Sequence, residues 1–123
     1  MSAASGPTGL ILIDHGSRLP EAHKHLADLA NELRKRHPGR SIAIAHLEVA
    51  APSLRQSITK LVDDGVMRID VFPLFLTPGN HLSRDLPALV REAARSFPDV
   101  ELRLLPALGT LPGLVDLVSE ALG

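Results

Sequence analysis

Four short apolar runs, each followed by a helical pattern, constrain this chain more than any other feature. They are LILID (10–14), SIAIAHLE (41–48), RIDVFPLFL (68–76) and ELRLLP (101–106). Continuous apolar runs of this length predict strands buried on both faces. After the first run, Pro20 opens a helix at a position where its missing N–H costs nothing. Leu26, Leu29, Ala30 and Leu33 follow at helical spacing, and Pro38-Gly39 stops the pattern. Pro52 starts a second helix, with Leu54, Ile58, Leu61 and Val62 on its inner face and Gly65 at its end. A third helix is expected from about Pro87 to Phe97 and a fourth from Thr110 to Leu122. Pro73 removes a ladder donor, so the third strand should bulge or end near it. The order β-α-β-α-β-α-β-α predicts an α/β fold in three layers, with a four-stranded parallel sheet and right-handed crossovers. Residues 1–8 are expected to be a loose tail and residues 9–123 one domain.

Composition excludes several function classes. Thirteen basic residues face fourteen acidic ones, a net charge of −1, which gives no overall field for nucleic acid or an anionic membrane. Three Phe with no Tyr or Trp leave little for base stacking. With no cysteine, thiolate catalysis, disulfides and Cys-ligated metal are impossible, so any metal site must use His, carboxylate or water. The start, MSAASGPTG, lacks the basic and apolar regions of a signal peptide, and no apolar run approaches a membrane span. A cytoplasmic location is the expectation.

Ligands of open parallel sheets bind beyond the carboxyl ends of the strands. The first strand brings Asp14, His15, Ser17 and Arg18 there, the second His46 and Glu48, and the third Thr77, Asn80, His81, Arg84 and Asp85. His15, Glu48 and His81 are separated by 33 residues each time, about one βα unit, so they can occupy equivalent places along one edge. Two imidazoles and a carboxylate suit a borderline divalent metal. A histidine at a strand end also serves as a turn residue, and spacing alone leaves both roles open. His46 shares a strand face with Glu48; it either orients that carboxylate, joins the site or packs under a helix. His23 and His25 lie two apart on a helix and His37 lies beside its stop, so all three are expected to be solvated. Gly16 and Gly79 permit sharp turns next to His15 and His81. Asp85 is expected to cap the helix before Pro87. Neither GxGxxG nor GxxxxGKS occurs, which leaves a nucleotide site without support.

LILIDHGSR, HLEVAAPSL and VFPLFLTPGNHLSRDLP together resemble the short CbiX-type sirohydrochlorin chelatases of the class II chelatase group. The strongest piece is P-x-F-L-x-x-G-x-H-x-x-x-D-[IL]-P, present from Pro73 to Pro87, and the resemblance extends over residues 9–118. It implies a chelatase-like (flavodoxin-like) half-unit and ATP-independent insertion of Co²⁺, Fe²⁺ or Ni²⁺ into sirohydrochlorin, for cobalamin, sirohaem or a related tetrapyrrole. His15, Glu48 and His81 are then the metal and catalytic residues, with no permanently bound cofactor. Ser17, Arg18, Asn80 and Arg84 become candidates for substrate binding, and Arg55 a weaker one, since arginines pair with the ring carboxylates. Members with two such units hold the tetrapyrrole between them, so a single unit implies a homodimer. Relatives often carry an aromatic residue where His46 stands. The alternative is a metal or tetrapyrrole carrier that uses the same residues without turnover.

Overall fold

A computed structural model describes residues 7–76 and 81–123, with the side chains of residues 81–84 outside that description. The elements run β1 (Thr8–Asp14), α1 (Pro20–Arg36), β2 (Arg40–His46), α2 (Leu54–Asp63), β3 (Arg68–Pro73), α3 (His81–Ser96), β4 (Glu101–Leu104) and α4 (Gly113–Leu122), with a short 3₁₀ turn at Leu108–Thr110. All four strands are parallel, in the order β2-β1-β3-β4. The expected α/β architecture is present. β1 is central and pairs on both sides: Asp14 stands opposite His46, and Ile13 opposite both Ala45 and Pro73.

Period-two alternation sends successive β1 side chains to opposite faces of the sheet. Ile11 and Ile13 join Ala45, Ile69 and Val71 under α2 and α3, which contribute Leu54, Ile58, Leu61, Leu86, Val90 and Ala93. Leu12 turns the other way and packs with Ile42 against Leu26 and Ala30 of α1. Each fully buried aliphatic side chain contributes about 1.5–3 kcal/mol over leaving it in water. The edge strand β2 is blunted by side chains. Arg34 donates to the Ile42 carbonyl from Nη2 (2.7 Å) and Nε (3.2 Å), and the Ser57 hydroxyl donates to the Ile44 carbonyl. Those carbonyls are therefore closed to a further strand.

Several boundaries differ from expectation. Thr8 belongs to β1, not to a tail, because it pairs with Arg40 and Arg68. Pro52 lies before α2, which begins at Leu54 behind a Ser53–Gln56 capping box: Gln56 N–H donates to Ser53 Oγ (3.1 Å) and Ser53 N–H to Gln56 Oε1 (2.8 Å). Pro73 closes β3, the early end anticipated for it. α3 starts at His81, so Pro87 lies inside the helix at the cost of one i→i−4 bond, and Asp85 is an interior residue, not a cap. α4 begins at Gly113, after the 3₁₀ turn takes up Thr110. It buries no residue and leaves Val115, Leu117, Val118 and Leu122 exposed.

Candidate metal site at the carboxyl edge

The β1 and β2 chains stay joined beyond their strands. Leu47 N–H donates to the Asp14 carbonyl at 3.0 Å, and Glu48 N–H to the His15 carbonyl at 3.1 Å. The first imidazole and the carboxylate therefore leave the backbone at neighbouring points of one rim. Gly16 makes this possible. Its φ is 103°, and a Cβ built on it would lie 1.9 Å from the Glu48 carbonyl oxygen. Only glycine meets both the left-handed conformation and that approach.

His15 follows Asp14 on the opposite face of the sheet, towards α2 and α3. Its ring lies on Phe75, with centroids 4.3 Å apart and planes inclined by 34°. Such a pair adds about 1 kcal/mol beyond its buried area. His15 Nε2 is buried and has no hydrogen-bond partner among the described residues. A buried ring nitrogen without a partner is a costly state unless something binds it. Glu48 is exposed at the same rim. His81 opens α3, but its side chain lies outside the described residues, as do that of Arg84 and the whole of Thr77, Gly79 and Asn80. Among the described residues no three His, Asp or Glu side chains form a group able to hold a metal ion.

The remaining expected residues take varied places. Ser17 is engaged in the turn into α1: its hydroxyl accepts from Leu19 N–H at 3.0 Å. Arg18 and Arg55 are exposed, Arg55 in the first turn of α2. His25 and His37 are exposed, as expected. His23 is not simply solvated: its Nε2 donates to the Ser17 carbonyl, and its ring lies 5.1 Å from that of His46. The two-residue spacing separates His23 from His25 on their own helix, but it is silent about what β2 presents to α1.

His46 takes the third of its possible roles. It is 2% exposed, sits under α1 beside His23, and donates from Nδ1 to Asp14 Oδ1 at 2.6 Å. It bonds the acid of β1, not Glu48. The pair was missed because Asp14 and His46 stand far apart in the chain; only the parallel register places them side by side. The Phe75 contact was also missed: the F of the P-x-F-L motif marks the residue but does not say which ring it lies against.

Comparison with known proteins adds to this geometry. Residues 9–123 match the CbiX family model. The chain is 32% identical over 112 residues to the chloroplastic sirohydrochlorin ferrochelatase of Arabidopsis thaliana, covering 91% of this chain and 50% of that protein. It is 35% identical over 81 residues to the sirohydrochlorin cobaltochelatase of Methanococcus maripaludis, covering 66% of this chain and 56% of that one. The chain thus spans about half the length of these curated relatives. A crystal structure of a putative cobalamin (vitamin B12) biosynthesis CbiX protein from Marinobacter aquaeolei VT8 superposes with a TM-score of 0.77 at 32% identity, covering 94% of this chain and 98% of that one.

Proposed function

This chain belongs to the CbiX family, and from that premise we propose that it inserts Co²⁺ or Fe²⁺ into sirohydrochlorin without ATP. The observation that carries the reading is His15: a buried imidazole nitrogen without a partner among the described residues, one backbone hydrogen bond from Glu48. The relatives' names, one a ferrochelatase and one a cobaltochelatase, supply the substrate class and the two metals.

In the proposed reaction the metal ion is a substrate. His15 and His81 take the incoming ion as neutral imidazoles in place of part of its water. Two pyrrole N–H bonds then break as two metal–nitrogen bonds replace them, and two protons leave. Glu48, exposed at the rim, either completes the metal coordination or accepts one of those protons. A bound cation lowers a carboxylate's basicity, so the two roles oppose one another. Arg18 and Arg84 pair with ring carboxylates, with Asn80 and Ser17 beside them. The reaction is placed in the cytoplasm.

The proposal includes a homodimer. Its support is α4, whose Val115, Leu117, Val118 and Leu122 are exposed and not covered by the described residues. Stripes of that kind are normally buried against another surface.

The test is a spectrophotometric assay with sirohydrochlorin and Co²⁺ or Fe²⁺. Many equivalents of metallated product per chain are expected, and no more than one equivalent would leave only a carrier. His15→Ala should abolish insertion with the fold intact; full activity in that variant overturns the assignment. Glu48→Gln keeps the shape and loses the charge, so unchanged turnover excludes Glu48 as the proton acceptor.

A further inference from the structure

The fourth βα unit provides no side chain to the proposed chemistry, yet it grips the chain beside His15. Gly109 N–H, in the 3₁₀ turn, donates to the Phe75 carbonyl at 2.9 Å. A Cβ built on Gly109 would lie 1.8 Å from the Leu76 carbonyl oxygen, 2.5 Å from its carbonyl carbon and 2.8 Å from its Cα. Gly109 is not among the residues with a left-handed φ. Glycine is therefore needed there for space, and the atoms it makes room for are backbone, which cannot swing aside as a side chain can. On its other side the gripped segment carries Phe75, which is 3% exposed and lies against the His15 ring. Among the described residues none gives His15 Nε2 a hydrogen bond to fix the ring's tilt. Phe75 is its one ring contact among the described residues, and Phe75 is itself pinned from behind by Gly109.

We propose that Gly109 and Phe75 are positioning residues for His15: the 3₁₀ turn clamps the Phe75–Leu76 backbone, and the Phe75 ring sets the imidazole so that Nε2 faces the incoming metal ion. The proposal rests on the reading of His15 as a ligand. Metal-ligating histidines generally depend on a second residue for their orientation, usually through a hydrogen bond; here a ring face does that work.

Two variants test it. Gly109→Ala forces the Leu76 carbonyl to move, and Phe75→Leu keeps apolar volume while removing the ring face. Gly39→Ala is the control, since a Cβ there meets nothing within 4 Å. In NMR spectra of the full chain, the His15 ring resonances should shift in both variants, while those of exposed His37 stay fixed. Titration with Co²⁺ alone should show affinity reduced about tenfold, the lower end of what loss of an orienting partner costs. With sirohydrochlorin, kcat should fall more than KM for the tetrapyrrole. If Gly109→Ala does not fold, Phe75→Leu decides. Unmoved His15 resonances in a folded variant overturn the proposal, as do moved resonances with wild-type Co²⁺ affinity. Should the wild-type chain fail to metallate sirohydrochlorin, the chelatase reading falls, and the His15 resonances still report whether the clamp exists.

Discussion

The two faces of the sheet are built to different standards. Among the described residues, thirteen buried ones form a continuous cluster under α2 and α3. On the α1 side the described buried cluster has four: Leu12, Leu26, Ala30 and Ile42, with Leu10, Phe72 and Leu74 only partly covered. That second face also admits charge. Asp70 is 5% exposed and accepts a two-pronged hydrogen bond from Arg103, at 2.9 and 3.0 Å, with Arg40 at 3.5 Å. Asp70 in turn holds the Arg103 guanidinium above its usual range, through the hydrogen bond first and the charge second. A cavity of about 260 Å³ lies beside it, bounded by Leu10, Arg40, Asp70 and Phe72. The dense face is the one His15 points to. A metal ligand needs an unyielding support, because a displacement of a fraction of an ångström spoils its geometry. Among the described residues the thin face is packed by Leu26 and Ala30 of α1.

This contrast can be broken by experiment. Ile11 and Leu12 are neighbours in β1, both fully buried, and they face opposite ways. Ile11→Ala should lose about 4 kcal/mol of stability and Leu12→Ala about 2–3 kcal/mol, since a looser surround collapses more readily into the space left. Equal losses in urea unfolding would erase the distinction. A smaller effect is expected from Asp70→Asn. Arg103 is half exposed and can turn to water, so the loss should be about 1 kcal/mol, not the several expected when a buried charge is stranded. A larger loss would show that the thin face depends on its charges. Smallest in stability, within about 0.5 kcal/mol, is Val118→Lys on exposed α4. The same change should remove association in sedimentation experiments, and an unaltered oligomeric state would show that α4 does not carry it.

Much of this was legible in the chain. The four strands announce themselves by apolar runs, and the helices by their spacing and prolines. What misled was local punctuation with two meanings. Pro87 looks like a first helical residue, yet it lies within α3, because nothing in the sequence distinguishes a tolerated interior proline from an opening one. α4 carries the apolar pattern of a packed helix, and the pattern does not say which molecule it packs on. For the candidate site, the strand-end rule proposed His15 and Glu48, whose backbones the structure joins. It did not find the contacts that hold them. The Asp14–His46 bond, the Phe75 ring and the Gly109 approach link residues tens of positions apart, and they exist only once strand order and register are known.

Register has one more consequence. Because β1 is zipped on both flanks, its residues cannot be renumbered piecemeal. Deleting one amino acid between Thr8 and Ile13 would turn the His15 imidazole to the α1 side and the Asp14 carboxylate to the side under α2 and α3. A single lost codon in the central strand would reverse which chemistry each side offers.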